Sequence, residues 1–304
     1  MGFEPDYIYN PELAEDLRKA KYINGTEFEI ITRIPENLQI THAIFDHDGT
    51  ISTLRQGWEV IMENTMIRAI LGKKYETADK SLYHQVIGRV RDYINKSTGV
   101  QTIIQMRDLV KFVQEFGCVE EKDKLDEYGY KKIYNEQLLK IVRRRLDKLK
   151  KKDLSVEDFV IKGALKLLER LYNAGVKLYL ASGTDEQDVI GEAKAMGYAD
   201  LFEGGIYGSI GKPEKDAKKV VLERILNDIE VDAMRNLATF GDGPVEIRET
   251  HKRGGFAVGV ASDEIRWFGL NPAKRSRLIS AGADMIIPDY SQINMLLEIL
   301  NVNM

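Results

Sequence analysis

Ala43-Ile44-Phe45-Asp46-His47-Asp48-Gly49-Thr50 is the stretch on which the reading of this chain turns. Three apolar residues run into two aspartates separated by one residue, then a glycine and a threonine. The apolar run reads as the end of a buried strand. Asp46 and Asp48, two residues apart, project the same way if strand geometry continues. Such a pair can hold a hard divalent cation through oxygen. With the cation bound, one carboxylate can attack phosphorus while the other handles a proton. Gly49 lets the chain turn sharply, and Thr50 offers a backbone N–H and a hydroxyl to a phosphate. Alone, the same residues could be an acidic turn closed by an Asx-type bond. Strand alternation sends His47 away from both aspartates.

Downstream, short apolar strands alternate with helices. The strands are expected at 43–46, 176–181, 237–240, 256–260 and 285–287, and the helices near 162–174, 185–196, 214–228, 245–253 and 291–300. Alternation of this kind builds a parallel sheet covered on both faces. The strand ending at Asp46 is cut off from the others by a long helical stretch. There Trp58, Ile61, Met62, Thr65, Met66, Ala69 and Ile70 lie at helical spacing, and the sets Leu82–Ile94, Ile103–Val113 and Ile133–Leu146 mark three more helices. The simplest architecture is an α/β core, residues 41–53 and 159–304, interrupted by an all-helical domain at 54–158. Residues 1–40 form an N-terminal extension packing on the core. Within it, a short helix is expected at 13–20, and a strand at 28–34 that could pair with a sheet edge in the same chain or another.

Three further segments fall at strand ends, where open α/β sheets bind ligands. Ser182-Gly183-Thr184 presents a hydroxyl and backbone donors to an anion, or else is a plain helix cap with Ser182 or Thr184 as N-cap. Gly211-Lys212-Pro213 puts Lys212 before a proline-started helix, a plausible phosphate clamp although lone lysines are mostly solvent groups. Gly241-Asp242-Gly243-Pro244-Val245-Glu246 supplies two more carboxylates, or another capped helix start.

In this order the segments resemble the haloacid dehalogenase (HAD) superfamily, over residues 40–53 and 159–290. The resemblance implies a Rossmann-like, HAD-like core with a helical cap inserted between the first and second motifs. It also implies an Mg2+-dependent phosphatase. In such enzymes Asp46 attacks to give an aspartyl-phosphate, while Asp48 protonates the leaving group, later activates water, and lends its backbone carbonyl to the metal. By the same likeness Thr50, Ser182, Gly183 and Lys212 hold the phosphoryl group, and Asp46, Asp48, Asp242 and Glu246 form the metal site. Glu246 stands where many members carry Asp. The implied partner is a small phosphorylated metabolite, such as a sugar phosphate. A phosphomutase using the same intermediate is the alternative, followed by a non-catalytic binding protein on this fold. A phosphonatase would need a cap lysine, and no segment singles one out. In the helical stretch, the 95–101 loop and Arg55, Arg89, Arg91, Arg107 and Lys131 are candidate leaving-group contacts or simply solvated residues.

Bulk properties are those of an ordinary globular protein. The 304 residues are 43% hydrophobic and 30% charged, with 7 prolines. A net charge of −4 gives no field to attract nucleic acid or an anionic membrane. No apolar run reaches the roughly 18 residues of a membrane span, and the acidic start lacks a signal-peptide core. Cys118, the single cysteine, reads as packing in a reducing compartment, so the expected location is cytoplasmic. Oligomeric state is left open. The long 263–272 segment carries Trp267 and Phe268, read as packing or as cover for a mouth or interface.

Overall fold

The computed structural model describes residues 8–97, 100, 102–210, 217–229 and 231–302. The chain divides into two compact units, one of residues 1–56 and 154–304 and the other of residues 57–153. The divisions fall at 56/57 and 153/154, against 53/54 and 158/159 expected from the sequence.

The first unit opens with α1 (Pro11–Glu15), β1 (Glu29–Ile30) and β2 (His42–Asp46). Among the described residues, the second unit is built from helices and the segments that connect them: α2 (Trp58–Leu71), α3 (Lys80–Lys96), α4 (Thr102–Phe116) and α5 (Glu127–Lys150). The first unit resumes with α6 (Ala164–Asn173), β3 (Lys177–Asp185), α7 (Glu186–Ala195), β4 (Gly205–Ser209) and α8 (Ala217–Asp228). It ends with β5 (Leu237–Gly241), α9 (Pro244–Lys252), β6 (Phe256–Val260), α10 (Pro272–Ala281), β7 (Met285–Ile287) and α11 (Ile293–Ile299).

The strands form one sheet in the order β1-β7-β6-β5-β2-β3-β4, parallel except for β1. β2 is central, and Ala43, Ile44 and Phe45 are buried because both faces of a parallel sheet are covered. Phe45 stacks on Phe240 of β5 with ring centroids 4.5 Å apart. The register aligns Phe45 with Phe240 and Asp46 with Ala181, so β2 and β5 end together, level with Ala181 of β3. That shared edge gathers the motif residues.

The core departs from the sequence reading at four points. β1 is two residues long, not seven, and pairs antiparallel with β7 of the same chain. β3 runs past Ala181 to Asp185 with an irregular register, so the N-cap of α7 is Asp185 rather than Ser182 or Thr184. β4 was not expected, because Gly204, Gly205 and Gly208 hide it from pattern reading. A side chain at Gly208 would meet the Glu186 backbone at 2.4 Å, so close approach requires the glycine. α10 was likewise absent from the expected helices.

The N-terminal segment is bound to the core by Arg275 of α10. This fully buried guanidinium donates to both oxygens of Glu29 at 2.6 Å and to the carbonyls of Ala14 and Leu13.

In the helical unit, Met62, Met66, Ile70, Val86, Val90, Met106, Leu109 and Val113 pack into one core. The buried stripe of α5 is Tyr130, Tyr134, Leu138 and Val142, at four-residue spacing, while Ile133 is exposed. Cys118 packs at the edge of this core. No helix among the described residues is long and apolar enough to cross a membrane.

Candidate active site

Asp46 ends β2 and is buried. Its Oδ1 lies 2.7 Å from the ammonium of Lys218, near the start of α8, and Thr50 donates its hydroxyl to Oδ2 at 3.5 Å. The same ammonium stands 2.9 Å from Glu246 Oε2, an ion-pair distance without hydrogen-bond alignment. Glu246 lies in the first turn of α9, and its Oε1 accepts the Gly243 N–H at 2.8 Å. Asp46, Asp242 and Glu246 can each turn one oxygen into a group spanning no more than 4.8 Å. This all-oxygen donor set suits a hard cation such as Mg2+. Burial pushes the Asp46 carboxyl well up; Lys218 opposes the shift, and Glu246 and Asp242 add to it.

Asp242 follows β5. Its Oδ2 lies 2.7 Å from a second ammonium, that of Lys274 on α10, which also donates to Glu264 Oε1 at 2.6 Å. Gly49 makes this packing possible. It turns the chain at φ 76°, and a Cβ there would stand 2.4 Å from Asp242 Oδ2 and 2.9 Å from Glu264 Oε1. The Gly49 carbonyl accepts the Ser262 hydroxyl at 2.9 Å, which ties the aspartate turn to the segment after β6.

Asp48 is held apart from these carboxylates. Thr184 donates its hydroxyl to Asp48 Oδ2 at 3.0 Å. His47 Nδ1 lies 3.3 Å from Asp48 Oδ1 and Arg55 Nε 3.8 Å from it, neither with hydrogen-bond alignment. Burial alone would raise the Asp48 carboxyl; His47, Arg55 and the Thr184 hydroxyl outweigh it and hold the group down at about 2. His47 is fully buried and bonds Tyr198 Oη through Nε2 at 2.8 Å.

Of the expected residues, Asp46, Thr50, Asp242 and Glu246 are gathered with Lys218 and Lys274, and Asp48 stands beside Thr184. Ser182 is buried, and its Oγ accepts the Thr184 N–H, while Gly183 is exposed. Lys212 lies outside the described residues. Lys218, Lys274 and Thr184 were missed as partners of the aspartates. Only spatial packing distinguishes the two lysines from other helix lysines, and in the sequence Thr184 is equally a possible cap.

Arg55 is neither solvated nor on a helix. It pairs with Glu192 at 2.6 Å and Asp188 at 3.5 Å on α7. Arg89, Arg91 and Arg107 are engaged within the helical unit, by Glu115 and the Phe112 ring, by Glu63, and by Glu127. Trp267 and Phe268 are exposed rather than packed, with Lys162 Nζ 5.4 Å from the centre of the Phe268 ring. Of the 95–101 loop, residues 98, 99 and 101 lie outside the described residues.

The haloacid dehalogenase-like hydrolase family pattern matches residues 40–248. The chain belongs to that family and is a hydrolase by that membership. Its fold is similar to that of β-phosphoglucomutase from Clostridium difficile, at a TM-score of 0.56 and 16% identity over 86% of this chain and 98% of that one. It is also similar to a predicted phosphoglycolate phosphatase from Haemophilus somnus 129pt, at 0.54 and 16% over 85% and 98%. A third similar structure is a predicted phosphatase from Clostridium acetobutylicum, at 0.51 and 17% over 86% and 99%. No curated protein matches the chain in sequence.

Proposed function

We propose that the chain is an Mg2+-dependent phosphatase acting on a small phosphorylated metabolite, a sugar phosphate being one candidate, through a phosphoryl ester of Asp46. The observation that carries this reading is the division of labour between two aspartates on one turn. Asp46 sits against the Lys218 ammonium beside Asp242 and Glu246, and Asp48 is held separately by Thr184.

An Asp46 oxygen attacks phosphorus, the bond to the leaving oxygen breaks, and Asp48 gives that oxygen its proton. Water then passes a proton to Asp48 as its oxygen attacks phosphorus. The bond to Asp46 breaks, releasing phosphate and restoring both groups. Asp48 is ionised before substrate arrives. It takes up a proton from solvent or from the monoanionic ester as substrate binds, because a phosphoryl dianion beside it raises its proton affinity, and it returns a proton to solvent when phosphate leaves. Lys218 neutralises charge on Asp46 and on the incoming phosphoryl oxygens, while Thr50 and Ser182 contribute hydroxyls. Lys212 is assigned to the phosphate by family likeness alone. Asp46, Asp242, Glu246 and the Asp48 carbonyl would hold Mg2+, which when bound supplies further charge neutralisation. The single cysteine and the absence of a membrane-crossing helix among the described residues favour a cytoplasmic setting.

Phosphate release from p-nitrophenyl phosphate and a panel of sugar phosphates, with and without Mg2+, tests the reading. Release that needs Mg2+ and is lost in Asp46→Asn is expected. Undiminished turnover in that variant would remove Asp46 as nucleophile. Transfer to a second hexose phosphate in place of water would make the enzyme a mutase.

A further inference from the structure

Lys274 and Glu264 belong to none of the motifs that carry the chemistry, yet both face it. Lys274 is the third residue of α10, and its backbone N–H is fixed by the N-cap Asn271. Its side chain is only 8% exposed, and its ammonium stands between Asp242 Oδ2 and Glu264 Oε1 at 2.7 and 2.6 Å. The turn at Gly49 abuts both of those oxygens, so neither carboxylate can swing toward it. A buried monovalent cation is thus built onto a carboxylate that a divalent cation would use.

We propose that Lys274 and Glu264 form a charge-setting pair for the Asp46, Asp242 and Glu246 metal site, the ammonium weakening metal binding and Glu264 partly cancelling it. The inference rests on the reading that these three carboxylates bind Mg2+. Burial screens the ammonium poorly from a dication sharing Asp242 with it, and like charges repel strongly at that range. Asp242 also remains oriented and neutralised before any metal arrives, so ion exchange does not leave a bare buried carboxylate. Metal that must compete with a resident ammonium binds reversibly and responds to its free concentration. Without Glu264 the ammonium would act unopposed.

The test is calorimetric titration of Mg2+ into the substrate-free protein, with a thermal melt of each variant to register folding. Lys274→Met is expected to tighten Mg2+ binding by about tenfold or more, and Glu264→Gln to weaken it by about threefold or more. The Lys274→Met/Glu264→Gln double variant should return toward wild type. A change of less than twofold in folded Lys274→Met, or weaker binding there, would overturn the proposal while wild type still binds Mg2+. If Lys274→Met does not fold, Glu264→Gln decides: unchanged or tighter binding overturns the proposal. A wild-type protein that takes up no Mg2+ would instead remove the metal-site reading itself, and this inference with it.

Discussion

Lys218 reaches Asp46 Oδ1 at 2.7 Å and so ties the end of the central strand to the start of α8. The same ammonium meets Glu246, and its own proton affinity is raised because the carboxylate charges outweigh its burial. Lys218→Met should therefore cut kcat/KM for p-nitrophenyl phosphate by about a hundredfold or more, as loss of a preorganised charge at a reacting group does. Lys212→Met, measured beside it, should cost less. A larger loss from Lys212 would transfer the role to that residue.

Thr184 donates one hydrogen bond to Oδ2 of Asp48, the group proposed to handle the proton. Thr184→Val should lower kcat by about tenfold with little change in KM, and Thr184→Ser should recover most of it. Equal effects of Val and Ser on kcat would exclude the hydroxyl as the operative part.

Asp48 also sets a pH dependence. Its carboxyl is held at about 2, below its ordinary 3.8, so the folded state binds that proton less readily than the unfolded chain. This stabilisation is complete above about pH 5, is lost progressively as the pH falls through 3.8 toward 2, and is on the order of 2 kcal/mol. Unfolding midpoints of the metal-free protein, compared with Asp48→Asn between pH 5 and pH 2, should converge as the pH drops. Parallel curves would contradict the assignment.

Gly49 has no space for a methyl group, since Asp242 Oδ2 occupies it, and the residue sits at positive φ. Gly49→Ala should destabilise the protein by about 1–3 kcal/mol and reduce Mg2+ affinity by displacing Asp242. A variant with wild-type melting and metal titration would show that the turn can yield.

Arg275 and Glu29 form a fully buried pair. Removing one partner leaves the other charge unpaired, so Arg275→Ala should cost about 3–5 kcal/mol in a denaturant titration. The loss should be accompanied by faster proteolysis around residues 11–30. Unchanged cleavage there would mean that other contacts fasten the segment.

The legible part of the sequence was the part in which short segments carry their own physics. The Asp46-His47-Asp48-Gly49-Thr50 run marks both a strand end and a turn, and it places Asp46 beside Asp242 and Glu246 with Asp48 close by on the turn. β4 escaped because its glycines answer to neighbours, Tyr179 and Glu186, that pattern reading does not include. The lysines escaped for a related reason. Helix position alone does not distinguish Lys218 from Lys219, yet one is buried against Asp46 and the other is half-exposed. Arg55 read as a solvated residue because its partners Asp188 and Glu192 are distant in the chain.

The position of β2 at the middle of the sheet has a consequence for biosynthesis. The strand bearing Asp46 is made early, but its neighbours β3 and β5 are completed only when Asp185 and Gly241 have been translated. The intervening helices draw on contacts within one continuous segment and can collapse while the ribosome is still at work. Until β5 emerges, β2 has an open edge of apolar backbone, the kind of surface that recruits chaperones or other chains. Substitutions that delay β5 would thus lower the yield of folded enzyme without touching any residue that handles phosphate.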